Sequence, residues 1–251
     1  MPKSLDLGQL SLRCGPHGAE RAFVAGGVGA GKSVLADYLG ADFTARYPKS
    51  HRLILDSKPR YRAAETINGT SAKRRYRSWG HGQPVLGSVL VESPEHLRLA
   101  WDMGWRVAIV QGDGEAERPR MLDVVQEFYK QANARVPQLL QVDETVDWFG
   151  GTAMPKYGSD VIIRCARAGR ERGLGALYCS QRTRAIPATL LEEMSRLFLF
   201  RIDYSADIKR LQEMGAPVDE ATMPTQEYHF MYWTKKAYQD LYGPYKLALN
   251  Q

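Results

Sequence analysis

Short apolar runs alternate with longer amphipathic stretches along most of the chain. Ala22-Phe23-Val24-Ala25 runs into glycines, and Lys32 to about Arg46 follows with Val34, Leu35, Tyr38, Leu39 and Phe43 at helical spacing. Arg52-Leu53-Ile54-Leu55-Asp56 is a second apolar run. Further ones lie at Val85 to Val91, Arg106 to Val110, Gln138 to Asp143, Leu174 to Ser180 and Leu197 to Ile202, with Tyr228 to Trp233 expected as the last strand. The intervening spacing predicts helices from Ser93-Pro94 to about Gly104, from Met121 to about Ala134 and from Asp160 to Arg172, with a short one around Leu190, Leu191 and Met194. Continuously apolar strands alternating with helices imply βαβ units. The expected fold is therefore α/β, with a mostly parallel central sheet flanked by helices.

Three stretches depart from this rhythm. The first 20 residues are weakly patterned, with a turn at Gly15-Pro16-His17-Gly18. Ser57 to Gln83 is polar and poor in aliphatics, and reads as a long loop or a poorly packed insertion. Gly150 to Gly158 reads as a Gly/Pro loop. The 251 residues suit one domain: a core over about 20–211, a basic polar insertion over about 57–83 and an aromatic, basic extension over about 212–251.

Composition narrows the class. With 44% hydrophobic and 25% charged residues the chain is neither disordered, collagen-like nor a coiled coil. No apolar run approaches the ~20 residues of a membrane span, and Met1 to Asp6 lacks a signal-peptide core, so a soluble, unexported protein is expected. Three cysteines without CxxC spacing and five histidines without HExxH spacing argue against a disulfide framework or a metal held by protein ligands alone.

The most specific motif is Gly26-Gly27-Val28-Gly29-Ala30-Gly31-Lys32-Ser33, which matches GxxxxGK[ST] between a strand and a helix. Such a loop directs backbone N–H groups at the phosphates of a nucleotide, and the following helix, with Val34 in its first turn, adds its positive end. Lys32 would reach the β- and γ-phosphates, and Ser33 would ligate Mg²⁺. Leu139-Leu140-Gln141-Val142-Asp143-Glu144 is an apolar strand ending in two acids. Asp143 would hold Mg²⁺ through water, and Glu144 would polarise water for attack on the γ-phosphate. Gln181, after the strand Leu174 to Ser180, stands where a polar side chain can sense the γ-phosphate or that water. Arg164, Arg167, Arg170 and Arg172 form a basic series, suited either to a solvated helix face or to a finger reaching a neighbour's nucleotide.

Taken in order, the P-loop, Asp143-Glu144 and Gly169-Arg170-Glu171-Arg172-Gly173-Leu174-Gly175-Ala176-Leu177-Tyr178-Cys179-Ser180-Gln181-Arg182 resemble the FtsK–HerA superfamily of ring-forming, DNA-pumping ATPases. Ile186-Pro187, Arg196 to Arg201 and Leu55-Asp56-Ser57-Lys58-Pro59 extend the resemblance over about residues 22–211. The membrane spans, winged helix and N-terminal barrel of other members have no counterpart here. The chain is more similar to the genome-packaging ATPases of membrane-containing icosahedral viruses. The resemblance implies a three-layer P-loop NTPase of RecA-like, ASCE type, ATP and Mg²⁺ as cofactors, and catalytic roles for Lys32, Ser33, Asp143, Glu144 and Gln181. Arg170 or Arg167 would act in trans, with Arg201 in reserve. It further implies a homo-oligomeric ring of about five or six subunits acting on double-stranded DNA, docked on a capsid vertex or membrane-associated portal component, in the host cytoplasm or the virion. The residues alone leave open a P-loop kinase of a nucleotide or small molecule, or a non-motor DNA-binding ATPase of plasmid mobilisation or replication.

Charge locates the expected DNA contact. Lys and Arg total 34 against 28 Asp and Glu, a net +6. The excess is local: Arg46 to Arg77 holds ten basic residues against only Asp56 and Glu65. Arg60, Arg62, Lys73, Arg74, Arg75 and Arg77, interleaved with Tyr61, Tyr76 and Trp79, suit a phosphate backbone with occasional stacking. Lys156, in the loop after Asp143-Glu144, is a second candidate.

Overall fold

Strand β3 (Arg21–Ala25) is buried at every position, as befits the middle of a sheet covered on both faces. The structure is a computed structural model that describes residues 10–15, 18–68, 71–73, 84–149, 159–235 and 241–247. A short hairpin, β1 (Cys14–Gly15) and β2 (Gly18–Ala19), precedes β3. The remaining strands are β4 (His51–Asp56), β5 (Arg62–Asn68), β6 (Ser71–Lys73), β7 (Pro84–Leu90), β8 (Val107–Gln111), β9 (Gln138–Asp143), β10 (Leu174–Ser180), β11 (Arg196–Leu199), β12 (His229–Thr234) and β13 (Leu241–Lys246). Among the described residues they form one 11-stranded sheet in the order β13-β12-β11-β3-β10-β9-β4-β8-β7-β5-β6. The strands from β11 to β5 are parallel, whereas β12, β13 and β6 pair antiparallel at the two edges. The α/β class expected from the pattern is the one observed.

Helix α1 (Lys32–Arg46) covers one face. Its Leu35, Ala36, Leu39 and Phe43 pack on Val24, Leu139, Leu177 and Cys179. The other face carries α2 (Pro94–Asp102), α3 (Arg118–Gln131), the single turn α4 (Val146–Phe149), α5 (Ser159–Ala168), the single turn α6 (Ala188–Leu191) and α7 (Ser205–Glu213). There Leu97, Phe128, Ile162 and Ala166 meet Phe23, Leu53, Leu140 and Tyr178. Successive strand residues thus feed opposite cores, the period of two that a pleated strand imposes. The start of α2 follows the expected cap: Ser93 Oγ accepts the His96 N–H at 3.2 Å and Pro94 opens the first turn.

The structure departs from expectation in several places. The polar stretch after β4 is not a plain loop: β5 and β6 lie within it and extend the sheet beyond β7. β5 is held by backbone hydrogen bonds to β7 on one side and β6 on the other, so Ala63-Ala64-Glu65-Thr66-Ile67-Asn68 needs no apolar alternation to pair. Helix α3 begins at Arg118, with Pro119 tolerated in its first turn, and α5 stops at Ala168 before a 3-10 turn at Arg170–Arg172. Helix α7 and β13 were not foreseen. Of the apolar residues at helical spacing in α1, Val34 and Tyr38 are 44% and 37% exposed on its outer side. Beyond residue 212, β12 and β13 continue the same sheet. Gly150 to Gly158, with Lys156, and Arg74, Arg75 and Arg77 lie outside the described residues.

Candidate nucleotide-binding site

The C-terminal ends of the parallel strands share one edge, where α/β sheets bind ligands. β3 ends there in the glycine loop, β9 in Asp143 and β10 in Ser180. β10 stands between the P-loop strand and the strand of the two acids, pairing with both. The Gly26 N–H reaches Ser180 O at 3.4 Å and the Gly27 N–H reaches Arg201 O at 2.8 Å, which straps the loop to the ends of β10 and β11. Gly26 lies at φ 157°, and a Cβ there would stand 2.6 Å from Phe200 Cβ, so only glycine fits. Gly31, at φ 108°, turns the chain into α1 under the rings of Tyr228 and Phe200.

Lys32 is buried and donates from Nζ to Gly27 O at 2.7 Å, so its ammonium lies inside the loop. Burial pulls its pKa down, opposed chiefly by the nearby Glu144 carboxylate. Asp143 is almost completely buried, which pushes its pKa up, while Arg60 and Lys32 pull it down. Ser33 Oγ donates to Asp143 Oδ1 at 3.4 Å. The two oxygens face one another within the site, as groups that would share a Mg²⁺ ion. The donors are a hydroxyl and a carboxylate, hard oxygens that fit this ion.

Glu144 sits just past the end of β9 at φ 50°, a conformation costly for a residue with a side chain. It is buried, and Gln181 grips it twice. The Gln181 backbone N–H donates to Oε1 at 3.1 Å and its side-chain amide to Oε2 at 2.8 Å. The loop after Gln181 is fixed in turn by the buried Asp207 of α7, which accepts the Arg184 N–H at 2.8 Å and the Thr183 hydroxyl at 3.2 Å. Arg182 lies over the Tyr204 ring, 3.6 Å from its centre. No local signal in the sequence marked Asp207 as a support of this loop.

The structure thus brings together Lys32, Ser33, Asp143, Glu144 and Gln181. It adds a residue expected elsewhere. Arg60, assigned to DNA from the basic run, places Nη1 3.1 Å from Asp143 Oδ2, inside the site. Its neighbour in that count, Arg52, is fully buried and pairs with Asp37 at 3.4 Å and Gln141, so it is no surface charge at all. Arg62 opens β5 and Lys73 closes β6, the last two strands at one end of the sheet. Arg167 lies 3.8 Å from Glu193, and Arg170 folds over Gly18, whose missing Cβ leaves room for it. Both stand before β10, at the sheet edge opposite the P-loop. A seven-residue strand separates the two edges by about 20 Å, so neither side chain reaches this chain's own nucleotide site. Arg201, by contrast, is beside its own P-loop and pairs with Asp203 at 2.6 Å.

Fold and site together define a P-loop nucleotide-binding protein with an additional strand between the P-loop strand and the strand of the acidic pair. Solved structures narrow the comparison to particular proteins. The chain is similar to the genome packaging NTPase B204 from Sulfolobus turreted icosahedral virus 2 in complex with AMPPCP, at a TM-score of 0.61 and 14% identity, over 90% of this chain and 97% of that one. It is also similar to the type VII secretion ATPase EccC of Thermomonospora curvata (TM-score 0.54, 17% identity, 88% of this chain and 24% of that one). EssC of Geobacillus thermodenitrificans matches at a TM-score of 0.54 and 13% identity, over 86% of this chain and 38% of that one. These are ATPases of the FtsK–HerA type, the superfamily that the sequence resembles. At such identities the likeness establishes a shared fold. No family model matches the chain, and a search among curated proteins gives no match. No helix of the described residues is long and apolar enough to cross a membrane.

Proposed function

We propose that this chain hydrolyses ATP to drive double-stranded DNA through a ring of its own copies, in the packaging of a viral genome. The observation that carries the ATPase reading is Glu144, held by both donors of Gln181 within one site with Lys32, Ser33 and Asp143. Ser33 and Asp143 would hold Mg²⁺, which supplies charge neutralisation at the β- and γ-phosphate oxygens. The backbone N–H groups from Val28 to Lys32 would seat the phosphates, with the Lys32 ammonium against the oxygens that gain charge. Glu144 would accept the proton of a water aligned with the γ-phosphate. With Oε1 facing the Gln181 N–H and the Ser180 hydroxyl, Oε2 keeps a lone pair for that water while Gln181 fixes the carboxylate's direction. A kinase has to keep water out of line with the γ-phosphate, and a buried, oriented carboxylate does the opposite.

The packaging reading is supported by the likeness to the B204 genome packaging NTPase, at a TM-score of 0.61 over 90% of this chain. A ring is supported by Arg167 and Arg170, which are too far from their own site and would need a head-to-tail neighbour to act on a nucleotide. The last two strands, β5 and β6, with Arg62 and Lys73, and the basic residues that follow are the proposed grip on the phosphate backbone. The test is steady-state ATP turnover with and without long double-stranded DNA of unrelated sequences. Stimulation by any such duplex supports the motor. Phosphate transfer to a nucleoside monophosphate, insensitive to DNA, overturns it.

A further inference from the structure

The turn between β4 and β5 is built to aim one arginine. Asp56, the last residue of β4, is fully buried, and its Oδ2 accepts the backbone N–H groups of Arg60 at 2.7 Å and Tyr61 at 3.1 Å. Gln111 at the end of β8 clamps the same turn, donating to Asp56 Oδ2 at 2.8 Å and to Tyr61 O at 2.6 Å. Ser57 and Lys58 tie its other side to Asp147 of α4, at 2.8 and 3.2 Å. The backbone under Arg60 is therefore fixed, while its side chain is 38% exposed and its guanidinium lies on Asp143 Oδ2. The opposite oxygen of Asp143 faces Ser33 Oγ. A rigid base, a long side chain with a path to solvent and a buried carboxylate at its tip together describe a tethered counter-ion.

We propose that Arg60 and the metal ion are alternative partners of Asp143. Without metal, Arg60 neutralises this carboxylate, so that it does not repel an incoming polyphosphate. When the metal-bound nucleotide enters, the guanidinium leaves Asp143 along its path to solvent and gives up the carboxylate to the metal. This inference rests on the nucleotide reading of the site. It also reassigns a residue of the basic run from DNA to the nucleotide.

The test compares Arg60→Ala and Arg60→Lys with the wild type in equilibrium binding of a fluorescent ATP analogue, once with excess Mg²⁺ and once with EDTA. The readout is the ratio of the two dissociation constants. In Arg60→Ala the bare Asp143 repels metal-free nucleotide, and the gain on adding Mg²⁺ should rise about tenfold over the wild type, about 1.4 kcal/mol. Arg60→Lys, which keeps a cation on the same tether, should restore most of the wild-type ratio. A merely structural role would weaken both affinities alike, and an unchanged ratio in Arg60→Ala overturns the inference while leaving the nucleotide site standing. A wild type that binds no nucleotide under either condition overturns both.

Discussion

Two buried polar clusters share strand β9 and face α1 two residues apart, and they are built to opposite ends. At Gln141 every hydrogen-bonding position is taken. Its carbonyl accepts from Arg52 Nε at 3.1 Å and Nη2 at 2.5 Å, and its amide donates to Asp37 at 3.2 Å and to the Tyr61 hydroxyl at 3.0 Å. Asp37 comes from α1, Arg52 from β4 and Tyr61 from the turn before β5, so the cluster bolts three elements to β9. Gly40 belongs to it as well: a side chain there would overlap the Arg52 guanidinium, which explains a glycine inside a helix that it weakens by about 1 kcal/mol. At Asp143 and Glu144 the reverse holds. The carboxylates keep free lone pairs, one counter-ion is a partly exposed arginine, and Glu144 adopts a strained backbone. The first cluster is closed and fully satisfied, as a scaffold must be; the second keeps the capacity that a substrate, a metal and a water would use.

The largest test of this contrast is Glu144→Gln. It preserves shape and removes the proton acceptor, so turnover should fall by about 10²- to 10⁴-fold while the affinity for ATP stays as in the wild type. Single-turnover hydrolysis alongside analogue binding measures both. Hydrolysis that survives the change would show that the strained carboxylate is not the base, and the open cluster would lose its chemical meaning.

Arg52→Met should do the converse. It strips the closed cluster of its cation and leaves the buried Gln141 carbonyl and the half-exposed Asp37 without their partner, a loss of about 2 kcal/mol. Denaturant unfolding gives the stability, and turnover per folded molecule should be retained. A variant as stable as the wild type, or one that folds but no longer hydrolyses ATP, would show that the two clusters are one.

The sequence made the open cluster more legible than the closed one, for a physical reason. Phosphate binding demands glycines, a lysine and a hydroxyl at fixed local spacing, and Asp143-Glu144 ends a plainly apolar run, so each part announces itself within a few residues. What joins the parts is not local. Gln181 meets Glu144 across 37 residues, and Arg60 meets Asp143 across 83. The second contact has no local mark, because Arg60 stands in a basic run whose members look alike, though Arg52 is buried, Arg60 is in the site and Arg62 lies on a strand. The same limit hid β5 and β6, since their pairing is written in the backbone and β7, the partner of β5, lies beyond a polar stretch. The parallel core was legible because burial on both faces forces continuous apolar runs.

Tyr61 belongs to both regions and gives the finest test of their separation. Its hydroxyl accepts from Gln141 in the closed cluster, and its backbone N–H binds Asp56 beneath Arg60. Tyr61→Phe removes only the hydroxyl, leaving one Gln141 N–H unpaired at a cost of about 1 kcal/mol in unfolding free energy. The N–H to Asp56 is untouched, so the turn should keep its shape and the Mg²⁺ dependence of nucleotide binding should equal that of the wild type. If that dependence shifts with so small a change, the turn is held from the scaffold side, and the closed cluster sets the position of Arg60 as well as the packing of α1.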